Sequence, residues 1–217
     1  MCNLIKQSLM GRIFFSLLIG GMILLSCSQS NPTKTIENLK TAITGESNTR
    51  AKYIEFSKKA YEEGYLNIGK MFEAISNAET VHIANHRKEL EKFGITDFEP
   101  VIDEVVVEST LENLVTAKAG EVYEFSEMYP KFMRVADEEK VSEVKRTFDL
   151  AAKAEARHAD YYQEAYVFLA SNNNDSAFYS VWYVCPHCGD TYTESNKPEQ
   201  NCDLGGNIVI EKFMIFQ

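Results

Sequence analysis

Two short segments of the chain combine a carboxylate and an imidazole at the same spacing. Glu79 stands three residues before His82, and Glu155 stands three residues before His158. Residues three apart on an α-helix lie on the same face, so each segment would present its two groups side by side. Oxygen and imidazole ligands suit iron or manganese better than softer metals. The two segments therefore predict a site for redox-active metal ions, provided that the surrounding sequence is helical.

Apolar residues at three- and four-residue spacing predict four long helices between residues 34 and 170. Gly64, Gly94 and an acidic cluster at residues 137–139 mark the breaks between them. Each apolar stripe would bury one face of its helix against the others. Each helix would contain about 28 residues and measure about 42 Å at 1.5 Å per residue. The predicted fold class is therefore an all-α four-helix bundle.

The two halves of this region repeat each other. The segment Glu-Asn-Leu at residues 37–39 recurs 75 residues later at residues 112–114, and Glu46 matches Glu121 at the same offset. Further along, the two carboxylate–imidazole motifs match once one residue is inserted, Glu79 with Glu155 and His82 with His158. The region is thus a duplicated helix pair, and the segment from Gly94 to Glu108 would be the long crossover between its halves.

Six ionisable residues occupy positions where the helix stripes should be apolar: Glu46, Glu79, His82, Glu121, Glu155 and His158. A carboxylate in a bundle core costs several kcal/mol unless it is paired or bound to a metal. Arg50 is the only obvious cationic neighbour, and one arginine cannot balance four carboxylates. A glutamate from each of two helices and a Glu-x-x-His from each of the other two is the ligand set of di-iron and di-manganese bundles. The alternative, buried Glu–His pairs without metal, is disfavoured because the motif occurs twice.

A further histidine, His86, lies one helical turn beyond His82 in the same stripe. The pair has the His-x-x-x-His spacing of an alternative zinc motif. A histidine at such a position is more often a neighbour of the ligands or a partly exposed residue. We therefore leave His86 out of the predicted ligand set.

Residues 34–170 resemble the ferritin-like domain of the rubrerythrin family. The resemblance rests on the segments 38–46, 61–64 and 128–130, which are similar to sequences of that family. Rubrerythrins differ from ferritins in a seventh metal ligand on the third helix, and Glu124 matches it. On spacing alone, Glu124 could equally be a surface carboxylate at the edge of the stripe.

The resemblance also implies how the metals would be held. Glu79 and Glu155 would each bridge two irons. Glu46 and Glu121 would be terminal ligands, and His158 would bind a single iron. Glu124 and His82 would alternate on the other iron as its oxidation state changes. Tyr53 and Tyr129 match tyrosines that lie beside the ligands in the family, although either could be a core aromatic with a bonded hydroxyl.

The C-terminal part of the chain, residues 181–217, follows a polar linker at residues 171–180. Its Cys185-Pro-His-Cys188 segment resembles the first metal-binding turn of a small rubredoxin-like β domain. A complete site needs four thiolates, but only Cys202 follows, without a fourth cysteine. We expect an incomplete iron or zinc site, a disulfide, or a β domain that binds no metal.

Residues 1–27 are predicted to be a targeting segment rather than part of the fold. Two basic residues precede an apolar run at residues 13–25, which is too short to span a bilayer comfortably. The run ends in Leu-Leu-Ser-Cys27, which resembles the lipobox of bacterial lipoproteins. We expect residues 28–33 to be a linker and the protein to be lipid-anchored in the cell envelope, facing outside the cytoplasm. A plain secretory signal is the alternative.

The whole chain carries 32 acidic and 22 basic residues and a formal net charge of −10. This balance provides no electrostatic footprint for nucleic acid, so DNA and RNA are excluded as partners. The resemblance implies a peroxidase with two iron ions that reduces hydrogen peroxide to water, takes electrons from an unidentified donor and forms a homodimer. The alternatives are a ferroxidase or iron-binding protein, and a non-catalytic lipid-anchored module with a structural metal.

Overall fold

The computed structural model describes residues 32–171, 174–198 and 214–216. This part of the chain forms five α-helices, α1 (Thr33–Glu62), α2 (Leu66–Glu91), α3 (Thr110–Tyr123), α4 (Tyr129–Glu138) and α5 (Ser142–Ala170). A π-helical turn at Glu124–Met128 joins α3 and α4 into one continuous rod. The described residues therefore form four long rods, and the predicted four-helix bundle is confirmed.

The ends of the rods lie close to the predicted breaks. Gly64 and Gly94 have φ angles of 87° and 78°, in the left-handed region that glycine adopts without strain, and they follow α1 and α2. The crossover at residues 95–109 contains no helix or strand. It ends in a capping box, in which the Ser109 side chain accepts from the Glu112 backbone and the Glu112 side chain accepts from the Ser109 backbone. These local signals start and stop the helices that position the metal centre.

Two apolar clusters fill the bundle and leave a polar layer between them. One cluster is built around Tyr53, Phe72 and Tyr162, and the other is built around Ile43 and Phe148. Along every rod, the residues of one cluster are separated from those of the other by the ionisable residues of the predicted site. The apolar stripes thus hold the rods together on both sides of that layer.

The C-terminal residues add a small antiparallel sheet in the order β2-β1-β3, with β1 at Trp182–Val184, β2 at Thr191–Thr193 and β3 at Met214–Phe216. The Trp182 side chain is fully buried in one of the two bundle clusters. Cys185 and Cys188, on the turn between β1 and β2, are also buried. Cys202 lies outside the described residues. The sheet therefore packs directly on the bundle.

Part of the segment that the sequence predicts as a linker, residues 175–177, is hydrogen-bonded to the bundle. Residues 175–177 form a 3₁₀ turn, and the carboxylate of Asp175 accepts hydrogen bonds from the backbone of Asn67 at 2.7 Å and Ile68 at 3.1 Å. These amides belong to the first turn of α2, where backbone N–H groups lack helical partners. Asp175 therefore caps α2 from outside the bundle.

The predicted targeting segment, residues 1–27, and most of the linker after it lie outside the described residues, and so does Cys27. Among the residues that the structure describes, no helix is long and apolar enough to cross a membrane. The predicted lipid anchor is therefore taken up below as a proposal.

Candidate metal centre

All four rods contribute side chains to the polar layer. The six residues predicted from the helix stripes converge there with little or no exposed surface: Glu46 from α1, Glu79 and His82 from α2, Glu121 from α3, and Glu155 and His158 from α5. Each rod contributes because its apolar face is interrupted at the same level of the bundle. The structure therefore brings these six residues together.

The possible ligand atoms form two overlapping groups, and within each group they lie within 4.8 Å of one another. The groups are Glu46, Glu79, His82 and Glu155, and Glu79, Glu121, Glu155 and His158. Glu79 and Glu155 belong to both groups, so each carboxylate can face two cations at once. The remaining carboxylate and imidazole of each group can face only one. Two cations would thus be held by this cluster, with Glu79 and Glu155 shared between them.

The carboxylate oxygens of this cluster are not all satisfied by the protein. Glu46, Glu79, Glu121 and Glu124 each have one buried oxygen without a hydrogen-bond partner among the described residues. A buried carboxylate oxygen without a partner is costly. Carboxylate oxygens with imidazole nitrogens are a donor set that iron and manganese accept. The residues present therefore fit two divalent cations.

The electrostatics of the cluster indicate the same need for positive charge. Burial raises the pKa of Glu46, Glu121 and Glu124 well above the usual carboxylate range, and neighbouring carboxylates raise it further. Like charges confined in a low-dielectric interior favour the protonated form. The cluster thus carries more carboxylates than the protein neutralises, which two divalent cations would balance.

The two imidazoles are turned toward the bridging carboxylates. The Nδ1 atom of His82 lies 2.9 Å from Glu79 and 2.8 Å from Glu155, and Nδ1 of His158 lies 2.8 Å from Glu155. Burial alone would lower the pKa of His82, but Glu155 and Glu79 raise it well above its usual value. Burial would raise the pKa of Glu155, yet His82 and His158 lower it to about 2. The Nδ1 atoms are therefore the imidazole atoms that face the centre.

The seventh predicted residue, Glu124, starts the π-helical turn and is only 6% exposed. Its counterpart in the first half, at an offset of 75 residues, is Thr49, whose hydroxyl lies 3.5 Å from the Glu124 carboxylate. The two halves therefore differ at this position, where one has a carboxylate and the other a hydroxyl. Because π-helical turns inside α-helices often occur at functional sites, the geometry singles out Glu124.

The π-helical turn also accounts for the residue inserted between the two halves. Tyr53 follows Glu46 by seven residues, whereas Tyr129 follows Glu121 by eight. The extra residue is accommodated between Glu121 and Tyr129, where the helix widens at Glu124–Met128. The change of offset in the sequence places the inserted residue between Glu121 and Tyr129, but it does not show that the helix widens there.

Two tyrosines donate hydrogen bonds across the bundle to Glu46 and Glu121, which we call the outer glutamates because each belongs to only one of the two ligand groups. The Tyr53 hydroxyl of α1 donates to Glu121 of α3 at 2.5 Å, and the Tyr129 hydroxyl of α4 donates to Glu46 of α1. Each tyrosine therefore orients a carboxylate on another rod. Hydrogen bonds of this kind to a metal-ligating carboxylate fix its position and tune its basicity.

His86, which the sequence analysis left out of the ligand set, lies behind one of these tyrosines. Its Nε2 atom is 3.0 Å from the Tyr129 oxygen, and it is fully buried. Burial lowers the pKa of His86 to about 3, so the ring is neutral. Because the Tyr129 hydroxyl donates to Glu46, we assign the proton of His86 to Nε2, which donates to the tyrosine oxygen. His86 thus extends the Tyr129–Glu46 bond rather than joining the ligand groups.

The outer nitrogens of both imidazoles contact the C-terminal turn. Nε2 of His82 lies 3.0 Å from the backbone oxygen of Cys188, and Nε2 of His158 lies 3.0 Å from the Thr191 hydroxyl. Asn85 of α2 donates to the backbone oxygen of His187 at 2.8 Å. Metal-ligating histidines usually bond their second nitrogen in this way, which fixes the ring. Sequence reasoning missed Thr191 and Asn85, since neither belongs to a periodic pattern.

The close approach of this turn to the centre requires a glycine. Gly189 has a φ of 77°, and a β-carbon there would lie 2.3 Å from Nε2 of His82. Next to it, Arg157 of α5 forms an ion pair with buried Asp190 at 2.9 Å, and its guanidinium lies 4.6 Å from the Tyr192 ring centre. The turn is therefore held against α2 and α5 of its own chain.

Comparison with known proteins agrees with this geometry. The family model described as rubrerythrin matches residues 37–166. Nigerythrin of Nitratidesulfovibrio vulgaris is 36% identical over 175 residues, 78% of this chain and 81% of nigerythrin. Rubrerythrin-2 of Clostridium acetobutylicum is 34% identical over 183 residues, 84% of this chain and 96% of that protein.

A solved structure gives the same result. The structure of nigerythrin in its mixed-valence state has a TM-score of 0.75 and 33% identity, and the match covers 84% of this chain and 86% of that one. A bacterioferritin of Desulfovibrio desulfuricans, at 18% identity and a TM-score of 0.63, shares the fold. The bundle is therefore ferritin-like, and its buried carboxylates and histidines form the di-iron site of that fold. This chain belongs to the rubrerythrin family.

Proposed function

We propose that this protein is a di-iron peroxidase, in which hydrogen peroxide, two electrons and two protons give two molecules of water. Members of the rubrerythrin family are di-iron oxidoreductases, and the relatives are 34–36% identical to this chain. The observation that carries the proposal is Glu124, which is buried on its π-helical turn and lies close enough to Glu155 and Glu79 for their charges to raise its pKa, although it belongs to neither of the two ligand groups. A six-residue centre alone would suit a ferroxidase equally well.

The residues of the centre have distinct tasks in this proposal. Two ferrous ions held there would supply both electrons for cleavage of the O–O bond and would act as Lewis acids. Glu79 and Glu155 would hold both ions, while Tyr53 and Tyr129 fix the outer carboxylates. Glu124 has one unbonded oxygen and one contact at 3.5 Å, so its carboxylate can change position at low cost. This supports the alternation of Glu124 and His82 that the resemblance implies.

We propose that electrons reach the centre through the C-terminal turn. The backbone oxygen of Cys188 bonds His82 directly, so a donor at this turn is one hydrogen bond from a ligand. That donor would be an iron site at Cys185, Cys188 and Cys202 if these cysteines bind iron, and an external protein if they bind zinc or no metal. The ratio of iron to protein tests this. Three irons in the wild type and two in Cys185→Ser support an internal donor, whereas two in both support an external one.

The function can be tested by rapid mixing. Soluble residues 28–217 would be loaded anaerobically with ferrous iron and mixed with hydrogen peroxide or with dioxygen, while oxidation is followed by absorbance. We expect oxidation by peroxide to be much faster. Glu124→Ala should remove this preference while both irons still bind. Glu127→Ala is the matched control, because Glu127 lies exposed on the same π-helical turn.

Three results would contradict the proposal. Faster oxidation by dioxygen would assign the protein to iron oxidation. Unchanged peroxide oxidation in Glu124→Ala would show that the seventh carboxylate has no part in the reaction. Failure to bind iron would leave only a structural role for the bundle.

We also propose that Cys27 carries the lipid that anchors the protein outside the cytoplasm. The support is its sequence context, a small residue and a cysteine at the end of an apolar run. Expression of the full chain in a bacterium fed with labelled palmitate tests this. Label in the wild type and none in Cys27→Ser supports the anchor, whereas an unlabelled, released wild type indicates a plain secretory signal.

A homodimer is the remaining proposal, and its support is the family resemblance. In that arrangement the C-terminal part of one chain approaches the centre of its partner. In this structure the turn lies on the centre of its own chain. Sedimentation of residues 28–217 distinguishes a dimer from a monomer. A monomer would mean that the C-terminal turn covers the centre of its own chain and that no partner chain is needed.

A further inference from the structure

A cleft of about 640 Å³ opens on the surface between α1, the crossover and α3. Its walls include Gly45 and Asn48 of α1 and Gly120 of α3, and Glu124 and Thr49 lie at its inner end. Glu124 and Thr49 are buried, and one Glu124 oxygen has no hydrogen-bond partner in the described part of the chain. The cleft therefore leads from solvent to a carboxylate of the metal centre.

The cleft and the C-terminal turn lie on opposite faces of the bundle. The cleft lies between α1 and α3, while the sheet and its turn pack on α2 and α5. Since α1 pairs with α2 and α3 pairs with α5, these two faces are separated by the width of the bundle. The turn occupies the outer nitrogens of both histidines, whereas the cleft reaches Glu124 from the other face.

Two glycines related by the duplication line the cleft, Gly45 and Gly120. Neither has a positive φ, and a β-carbon added at either position would meet no atom within 4 Å. The backbone and the packing therefore do not require glycine. Glycine inside a helix costs roughly 0.5–1 kcal/mol relative to alanine. What this pair provides in return is open space beside Glu124.

Few charged side chains outside the metal centre line the cleft: Lys40 and Lys52 are positive and Asp103 is negative. A cleft with a large excess of one sign would concentrate ions of the other sign. An excess of one positive charge is small, so the cleft does not select strongly for charged molecules and suits a small uncharged one. Hydrogen peroxide is uncharged at neutral pH.

We propose that this cleft is the route by which a small uncharged oxidant reaches the metal centre, and that Gly45 and Gly120 keep it open. The inference rests on the proposed peroxidase function for the identity of the oxidant, although the route itself does not depend on it. Oxidant would arrive beside Glu124, on the face opposite to the turn that would deliver electrons. Access by oxidant and access by the electron donor are thus separated.

The test fills the cleft without disturbing the ligands. Gly45→Leu and Gly120→Leu, singly and together, add side chains where the structure has space. Both changes favour the helix, so the variants should fold and melt no lower than the wild type. Ala119→Leu is the matched control, because Ala119 is exposed and adjacent to Gly120 on the same helix.

Two measurements are made on the full chain loaded with ferrous iron. The first is the rate at which nitric oxide, a small uncharged probe, binds to the centre, followed by absorbance. The second is the rate of oxidation by hydrogen peroxide. We expect the double glycine variant to slow both rates about tenfold or more, with the iron content unchanged, and Ala119→Leu to leave both unchanged.

The outcomes separate this proposal from the peroxidase function. Slower nitric oxide binding in the glycine variants supports the route, even if the wild type does not react with peroxide. Equal nitric oxide and peroxide rates in wild type and double variant would overturn the route, even if the wild type proves to be a peroxidase. A rate lowered equally by Ala119→Leu would also overturn it, since the effect would not depend on the cleft.

Discussion

At the scale of single residues, the tyrosine–glutamate bonds decide how firmly the outer ligands are held. Tyr53 bonds Glu121 and Tyr129 bonds Glu46, each across the bundle and each without contact with water. Removing such a partner leaves the carboxylate oxygen uncompensated. The consequence belongs to the metal centre more than to the fold, because the aromatic rings remain packed.

Tyr53→Phe should therefore weaken iron binding while the bundle stays folded. Loss of a hydrogen bond to a ligand lowers metal affinity by roughly 10- to 100-fold. Competition with a ferrous chelator measures the affinity. Tyr61→Phe is the control, since the Tyr61 hydroxyl bonds the exposed Glu73. Equal affinity in Tyr53→Phe and wild type would mean that the hydroxyl does not orient Glu121.

The residues that could be predicted are those that break a periodic pattern. Glu46 and Glu121 stand out because a helix stripe that should be apolar is interrupted there, and the duplication repeats the interruption. Thr191, Asn85 and His86 could not be assigned in this way. Their partners come from other elements, so no spacing along the chain indicates the contact.

At the scale of elements, the C-terminal turn depends on one glycine. Gly189→Ala would place a β-carbon 2.3 Å from His82 and also strain a backbone with φ of 77°. We expect the turn to lift from the histidines, with a loss of about 1–3 kcal/mol in the free energy of unfolding. The single tryptophan, Trp182, is buried beside the turn, so its fluorescence reports the change.

Gly64→Ala separates strain from contact in this experiment. Gly64 also has a positive φ, 87°, but a β-carbon there meets no atom within 4 Å. It should lower stability without changing the fluorescence of Trp182. If Gly189→Ala behaves in the same way, the contact between the turn and His82 is not what requires the glycine.

Glu63, directly after the end of α1, should make the free energy of unfolding depend on pH. Burial alone would raise the pKa of Glu63, but hydrogen bonds from Thr110 and the ammonium of Lys59 lower it below its usual value. A carboxylate whose pKa is lower in the folded state stabilises the fold above its unfolded pKa. That contribution is lost as the pH falls through the folded value.

Glu63→Gln should therefore lower the free energy of unfolding by about 0.3–1 kcal/mol at pH 7. The difference from wild type should begin to shrink at about pH 4, where the unfolded carboxylate takes up its proton, and should vanish only at the lower pH at which the folded carboxylate is protonated as well. Urea unfolding at several pH values measures it. Glu62→Gln, an exposed neighbour, should have no effect at any pH; a constant difference for Glu63→Gln would contradict the charge-based account.

The elements also show where sequence reasoning stops. Four helices, their breaks and the crossover follow from the apolar periodicity, from Gly64 and Gly94 and from the acidic cluster at residues 137–139. The π-helical turn does not, because the inserted residue changes the offset between the halves without showing which backbone bond absorbs it. The structure places it at Glu124–Met128, inside the metal centre.

At the scale of the whole molecule, the C-terminal sheet and the bundle share one apolar core. Trp182 lies in the same cluster as Phe72 and Tyr162, and Asp175 caps α2. The described residues from Pro32 onward form one compact unit. Cysteine spacing predicts a small β domain but says nothing about where it packs, since that contact depends on surfaces far apart in sequence.

This shared core predicts that the bundle and the sheet unfold together. Trp182→Ala should lower the free energy of unfolding by about 3–5 kcal/mol, as for a buried aromatic residue. Circular dichroism of the helices and fluorescence of the tyrosines should show one coincident transition in the wild type. Two separate transitions would mean that the sheet is an independent domain.

The most direct test of the account is an anaerobic titration of the ferrous-loaded protein with hydrogen peroxide. Two buried cations held by shared carboxylates should deliver their electrons as a pair. We predict complete oxidation at one peroxide for every two irons, without any hydroxyl radical captured by a spin trap. Radical release, or iron that peroxide oxidises more slowly than dioxygen does, would contradict the central claim that this centre is a peroxidase.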